Sequence, residues 1–321
     1  MTKDGHKPRI AVLKGGPSEE HTLSMQNGAE VAAVLRAAGK HDVIDITVTK
    51  NGEWLEDGFV RTPQDILNKV DSVYIGLHGL YGEDGGVQRE IERAGVRYQG
   101  SKPFQSAVGL NKMLTKEHVK NTPVKKAGHL RLTKSGVSDV HSSASTTEKL
   151  LGGAFIVKPT CGGSGIDTKV ANGAHELAKV LEELFETYDD VLVEQRINGV
   201  SITCGVINDL RGTALYTTPA TEVLYDQTAE NDIFVAEKIV PGRFTKDIRA
   251  AVAEYAKRIH MELDLRDMSR SDFIVTDEGE IYFLEVNTLP AVTNNSPLMV
   301  GMASLGVSQE ELVCHLCGDK I

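Results

Sequence analysis

An α/β fold with parallel strands in its N-terminal part is predicted by two features of this sequence. Over its first ~100 residues, apolar strands alternate with helix-patterned segments, the β-α-β order that implies a parallel sheet with ligands gathered at the strands' C-terminal ends. Further strand–helix blocks follow without any repeat of about 20–50 residues. No Pro- or Ser-rich linker separates them, so several closely packed units are expected.

Taken in order, PRIAVLKGG is an apolar strand ending in glycines, and SEEHTLSMQNGAEVAAVLRAAG is a helix stopped by Gly39. DVIDITVT and DSVYIGLHG supply two more strands, which sets His78 at a strand end and Glu20 near the start of the first helix. A glycine-rich loop runs from Gly79 to Gly86. The segment KPFQSAVGLNKMLTKEHVKN reads as one helix that opens a second unit, with Lys112 inside it. FIVKPTCGGSGI is a strand followed by a glycine loop. In HELAKVLEELFETY, Leu177, Val180, Leu181 and Leu184 recur at helical spacing, so that segment is an amphipathic helix. VLVEQRI, SITCGVIN and ALYTTPATEVLY are strand-like, DQTAENDIFVAEK is a polar loop, and KDIRAAVAEYAKRIHMEL is a helix.

Composition narrows the function classes. A chain of 321 residues is long enough for two or three domains. Its 45 acidic and 35 basic residues give a formal charge of -10, which argues against nucleic acid as a partner. MTKDGHKPRI has no apolar signal-peptide core, and no stretch approaches the ~18 apolar residues of a membrane span. The four cysteines do not form a disulfide scaffold, and Cys314 and Cys317 are expected as half-buried thiols on a terminal helix. A cytoplasmic protein with no membrane partner is expected.

The most informative stretch is SRSDFIVTDEGEIYFLEVNTLP. Asp277-Glu278-Gly279 separates two β-like runs, a hairpin signature. Glu285 and Asn287 lie at i and i+2, on one face of the second strand. Asp272 falls opposite Leu284 or Glu285; one of those registers pairs Asp272 with Glu285 and Arg270 with Asn287. Two facing acids repel unless a positive group lies between them. Carboxylates beside an amide oxygen are ligands that suit magnesium. Neither GxGxxG nor GxxxxGK[ST] occurs, yet Lys158 ends a strand just before Cys161-Gly162-Gly163-Ser164-Gly165, whose backbone N–H groups are able to fold over a phosphate. Lys112 is a possible second ammonium for it.

Five motifs, GGPSEEHTLS, HGLYGEDGGVQ, VKPTCGGSGI, SRSDF and LEVNTLP, together resemble the D-alanine–D-alanine ligase family, in that family's order over essentially the full chain. The resemblance implies a three-domain ATP-grasp fold with an N-terminal parallel-sheet, Rossmann-like domain over residues 1–103. A central domain with the glycine loop would span 104–190, and a C-terminal domain with the metal ligands 191–321. It implies ATP and two Mg²⁺ ions, or Mn²⁺ in their place, with D-alanine and ATP as small-molecule partners and a homodimer as the assembly. By motif position, Lys112, Lys158, Gly163 and Ser164 would meet the phosphates, Glu194, Gln195 and Ile197 the adenine, and Ser201 the ribose. Asp272, Glu285 and Asn287 would hold the metals. Glu20 would orient the first D-alanine's ammonium, with His78, Arg270, Ala291 and Ser296 around the amino-acid site. Glu20, Ser164, Arg270 and Ser296 would be the catalytic set.

The implied activity is ATP-dependent joining of two D-alanines through an acyl phosphate, to give D-alanyl-D-alanine for cell-wall peptidoglycan. Two alternatives stand beside it: another second substrate such as D-lactate or D-serine, or a weakened ATP-binding homologue with a regulatory role. Departures from the family's pattern motivate them. Ser201 stands for a ribose-binding glutamate, while Glu230 and Asn231 replace the lysine and tyrosine of the flexible loop. Ala291 replaces the glycine whose N–H helps form the oxyanion hole. Gly165 and Asp167 replace a serine and a glycine, and Asp167 would repel a triphosphate unless it turns outward.

Overall fold

In the computed structural model, which describes residues 7–163, 165–226 and 234–318, the N-terminal alternation folds as its pattern requires. Strand β1 (Arg9–Gly15), helix α1 (His21–Ala38) and strand β2 (Asp42–Val48) are followed by a short hairpin, β3 (Trp54–Glu56) and β4 (Phe59–Arg61). Then come α2 (Pro63–Leu67), β5 (Ser72–Ile75), α3 (Gly86–Arg93) and β6 (Arg97–Tyr98). The sheet order is β4-β3-β2-β1-β5-β6, parallel from β2 to β6, with the hairpin added antiparallel at one edge. Gly39 ends α1 at φ 67°, the left-handed cap its position implies. Mid-helix Gly28 has a different reason: a Cβ there would lie 2.5 Å from Lys14 Cβ, so only glycine lets α1 approach β1 this closely. The hairpin and the short α2, α3 and β6 were not anticipated; they are too brief to carry a periodic signal.

The expected helix over KPFQSAVGLNKMLTKEHVKN is two helices, α4 (Pro103–Leu110) and α5 (Lys112–His118). Asn111 is extended between them, accepts the Leu114 N–H as N-cap of α5, and bridges to Cys161. Lys112 is therefore the first residue of a helix. Strand β7 (Lys125–Lys126) follows and joins the C-terminal sheet. The middle unit comprises β8 (His129–Thr133), α6 (Val140–Leu151), β9 (Ala154–Pro159), β10 (Lys169–Asn172), α7 (Gly173–Thr187) and β11 (Asp190–Gln195). Its sheet is antiparallel, in the order β10-β9-β11-β8. Leu177, Leu181 and Leu184 of α7 are buried against it with Val191 and Val193, and Val180 is partly buried there.

The last unit has β12 (Val200–Leu210), β13 (Thr213–Thr217), β14 (Thr221–Asp226), β15 (Phe234–Ile239), α8 (Lys246–Glu262), β16 (Met268–Val275) and β17 (Ile281–Asn287). Its sheet order is β15-β14-β12-β16-β17-β7, with β13 beside β12. FVAEK, expected in a polar loop, is strand: ladder bonds to β14 override its charged composition. Val108, Val119 and Val124, from the segment after residue 103, pack in this unit's core with Phe273 and Phe283. Helices α9 (Pro297–Ser304) and α10 (Gln309–Leu316) turn back to the first core, where Met302 and Leu312 join Val31 and Leu35. Cys314 is buried on α10 and Cys317, just after it, is half-buried; neither forms a disulfide. Among the described residues, no helix is long and apolar enough to cross a membrane.

Candidate active site

The β16–β17 hairpin pairs Val275 with Ile281 and Phe273 with Phe283, after which the register slips by one residue. Beyond the slip, Asp272 faces Glu285 and Arg270 faces Asn287. Leu284 is the extra residue of a β-bulge, and alternation along β17 breaks there: Ile281 and Phe283 are buried before it, Val286 after it. A regular ladder would put Leu284 opposite Asp272; the bulge brings the two acids together instead.

Their repulsion is answered by protein cations. Arg270 donates to both Asp272 oxygens, at 2.9 and 2.8 Å, and Thr203 Oγ1 donates to Asp272 at 2.5 Å. Lys112 Nζ lies 3.3 Å from Glu285 Oε2. Burial disfavours charge on Arg270, but Asp272 beside it outweighs that and holds the guanidinium charged. Burial likewise raises the Glu285 pKa, while Lys112, Lys158 and Arg270 together bring it below the usual carboxylate value. Asn287 Oδ1 accepts the Leu289 N–H at 3.0 Å. Among the described residues no cluster of three or more His, Cys, Asp or Glu is placed to hold a metal. The donor set is two facing carboxylates and an amide, all oxygen, and it fits a hard divalent cation.

Behind this hairpin lies a buried charge triad. Glu194 on β11 sits between Lys158 on β9, at 2.6 Å, and Lys116 on α5, at 2.7 Å. Burial pushes the Glu194 pKa up, yet the two lysines bring it down to about 2. Lys116 also reaches the Leu284 carbonyl at the bulge, at 3.4 Å, and stands over the Phe283 ring. Neighbouring Gln195 is exposed and Ile197 half-buried, just past the end of β11; Ser201 is half-buried on β12.

Lys112 Nζ donates to the Gly162 carbonyl, tying α5 to the glycine loop. Gly163 is half-buried against Glu20: a Cβ on it would lie 3.2 Å from Glu20 Oε2. Asp167 adopts φ 51°, the left-handed backbone that suits glycine, and its carboxylate accepts the Tyr188 O–H at 2.5 Å. Ser164 and the loop residues Glu230 and Asn231 lie outside the described residues.

Glu20 precedes α1 at its N-cap position. Across from it, Gly79 takes φ 69°, and a Cβ there would come 2.9 Å from Glu20 Oε2. His78 is buried, its N–H donating to Ser24 Oγ and its carbonyl accepting from Ser18 Oγ. Burial and the Arg270 charge lower its pKa to about 4, and its Nε2 has no hydrogen-bond partner among the described residues. The ring is thus neutral at physiological pH, with one nitrogen open to a ligand. Ser296 caps α9, accepting the Met299 N–H at 3.2 Å. Ala291 does not have a positive φ, so the methyl is accommodated without backbone strain.

The expected residues therefore form two linked groups: Glu20, His78 and Gly163 on one side, and Arg270, Asp272, Glu285, Asn287 and the lysines on the other. The Arg270 charge bears on His78 and on Glu83, which joins them. Glu83 is a residue the sequence reading passed over, although it stands inside HGLYGEDGG. It accepts the N–H of Gly79 at 2.7 Å and of Leu289 at 3.3 Å. Burial, then the Glu20 charge, raise its pKa to about 8. Lys116 was passed over too; its spacing of one helical turn from Lys112 was the available signal. Tyr225, at the end of β14 where the flexible-loop pattern begins, has its pKa pushed up to about 12 by burial and then by Asp272.

A family model described as the D-ala D-ala ligase C-terminus matches residues 119–318, more than half of the chain. A D-alanine–D-alanine ligase of Geotalea uraniireducens (strain Rf4) is 33% identical over 314 residues, covering 98% of this chain and 96% of that protein. Among solved structures, a D-alanine–D-alanine ligase from Bacillus anthracis complexed with ATP aligns with TM-score 0.79 and 27% identity, over 97% of this chain and 96% of that one. The VanG D-Ala:D-Ser ligase from Enterococcus faecalis aligns with TM-score 0.81 and 25% identity, over 98% and 99%.

Proposed function

The chain belongs to the D-alanine–D-alanine ligase family, and from that premise we propose that it joins two D-alanines, with ATP as the energy source, at the cluster around Arg270. It is an ATP-dependent carboxylate–amine ligase with the ATP-grasp fold, and its product is D-alanyl-D-alanine for peptidoglycan. The observation that carries the site assignment is the bulged hairpin, which sets Asp272 against Glu285 beside Arg270 and Lys112.

Phosphoryl transfer to a carboxylate brings two anions together, so the site must neutralise charge. Lys112 and Lys158 turn from Glu285 and Glu194 toward the nucleotide phosphates, under the glycine loop of Gly163 and Ser164. Glu194, Gln195 and Ile197 line the adenine pocket, and Ser201 contacts the ribose. Asp272, Glu285 and Asn287 hold two Mg²⁺ ions, or Mn²⁺; bound there, they neutralise phosphate charge. Glu20 holds the first D-alanine's ammonium, with neutral His78 beside it. The resulting acyl phosphate is attacked by the second amine. Arg270, with the Ala291 N–H, stabilises the tetrahedral oxyanion and then the departing phosphate, while Ser296 positions the acceptor. Water must be excluded while the acyl phosphate persists, because it hydrolyses.

The division into three units is carried forward with two adjustments: the segment 104–126 goes with the last unit, because β7 pairs with β17 and Val108, Val119 and Val124 pack in that unit's core. The middle unit extends to Gln195, since β11 is an inner strand of its sheet. A homodimer in the cytoplasm is the proposed assembly and location. The test is ADP release by the purified chain with Mg-ATP and D-alanine, with the product identified by mass, and D-lactate, D-serine and L-alanine run alongside. D-Alanine-dependent dipeptide is expected, and Asp272→Asn should weaken Mg²⁺ binding and nearly abolish turnover. Nucleotide binding without turnover on any of these acceptors would overturn the reading.

A further inference from the structure

Lys116 stands one helical turn beyond Lys112 on α5, so the two lysines share a face of that helix. Its side chain is only 1% exposed, against 9% for Lys158, which puts it out of a ligand's reach. Glu194, the Leu284 carbonyl and the Phe283 ring close over its head. Lys116 and Lys158 pair with the same carboxylate on different oxygens, Lys116 with Glu194 Oε1 and Lys158 with Oε2. That carboxylate is itself buried on β11. Burial opposes its charge, and Lys116, then Lys158, sustain it.

The two lysines differ in what else holds them. Lys116 has a second anchor at the Leu284 carbonyl, on the bulge of the β16–β17 hairpin. Lys158 has Glu194 as its one ion-pair partner among the described residues. A phosphate that draws Lys158 away takes one of the two counter-charges from a buried carboxylate. Removing one partner of a buried pair is strongly unfavourable when it leaves the other charge uncompensated. With Lys116 in place, Glu194 keeps a cation at 2.7 Å throughout.

We propose that Lys116 is a positioning residue for nucleotide binding: by staying on Glu194, it frees Lys158 to engage phosphate. A side chain that never touches the nucleotide then sets part of its affinity. The inference rests on the reading of Lys158 as a phosphate ligand given above.

The experiment is calorimetric titration of Mg-ADP into the full chain, Lys116→Met, Lys116→Gln, Glu194→Gln and the double variant Lys116→Met/Glu194→Gln. In Lys116→Met, Lys158 is the last counter-ion of Glu194 and the nucleotide must compete for it. The Kd should rise about 10–100-fold. Lys116→Gln keeps a donor for the Leu284 carbonyl without the charge, and should show a similar rise. With Glu194→Gln no buried charge needs a partner, so adding Lys116→Met there should change the Kd by less than about threefold. Steady-state kinetics should show the same rise in the ATP KM, with the KM of the first D-alanine held within about twofold. Equal Kd values for the wild type and both Lys116 variants overturn the inference. So does an equal loss from Lys116→Met in both backgrounds, which would make Lys116 a packing residue alone. A wild-type chain that binds no Mg-ADP overturns the nucleotide reading itself, and this inference with it.

Discussion

Glu83 shows how much of this site is decided by single buried groups. Its two oxygens cap the N–H groups of Gly79 and Leu289, which belong to units far apart in sequence. Burial and neighbouring Glu20 raise its pKa from 4.5 to about 8. A raised folded-state value means that the protonated form is favoured in the fold. The stability this group contributes is therefore complete below pH 4.5 and is lost as pH rises through about 8. Urea midpoints measured from pH 5 to 9 should fall with pH in the wild type, and Glu83→Gln should flatten that slope. An equal slope in both proteins would mean that Glu83 does not carry the effect. The residue was visible in its motif, but nothing in the sequence placed the Leu289 N–H beside it. His78 and Arg270 were legible as types of group, whereas their neutral and charged states follow from what surrounds them.

At the scale of elements, two irregularities set the geometry. One is the bulge at Leu284, which moves Glu285 opposite Asp272 and leaves a carbonyl for Lys116. The other is the glycine loop, where Asp167 takes a left-handed backbone and is tied to Tyr188 just after α7. That hydrogen bond holds the Asp167 carboxylate against Tyr188 and anchors the loop's far end. Tyr188→Phe should accordingly raise the ATP KM a few-fold, roughly what a partly exposed charged hydrogen bond is worth, with little change in folding stability. Asp167→Gly, which restores backbone freedom without the charge, should give back most of the loss. The latch idea fails if nucleotide titrations of Tyr188→Phe and wild type superimpose. Helix α1 and its stop at Gly39 were legible because periodicity and a glycine cap act locally. The break at Asn111 was not, since KPFQSAVGLNKM keeps helical periodicity through it and the bridge to Cys161 is a contact across 50 residues.

In the whole molecule, the chain's end completes its beginning. Leu312, Val313 and Leu316 of α10 and Met302 of α9 are buried in the same core as Val31 and Leu35 of α1. Arg266 adds a polar tie, donating to the Gly100 carbonyl at 2.7 Å and stacking over Tyr98 at 4.7 Å. The first unit therefore does not bury its hydrophobic face by itself. Leu312→Ala should cost about 2–5 kcal/mol, the range for a buried leucine truncated in a packed core. Its effect should appear in one cooperative denaturant transition that includes the N-terminal unit. A fragment of residues 1–103 should show no cooperative transition of its own; a sharp one at wild-type stability would contradict the shared core.

By itself, the sequence determined the strand and helix order of the N-terminal sheet, the amphipathic α7, and the residue types gathered in SRSDF, LEVNTLP and VKPTCGGSGI. Periodicity, caps and turn residues are short-range physics, and hard oxygen donors near a lysine are chemistry that spacing alone announces. Only the tertiary structure decided which of two hairpin registers holds, that FVAEK is strand, that Lys116 and Glu83 belong to the site, and that α10 closes the first core. Each of those depends on groups distant in sequence, whose burial and mutual charge exist only once the chain has packed.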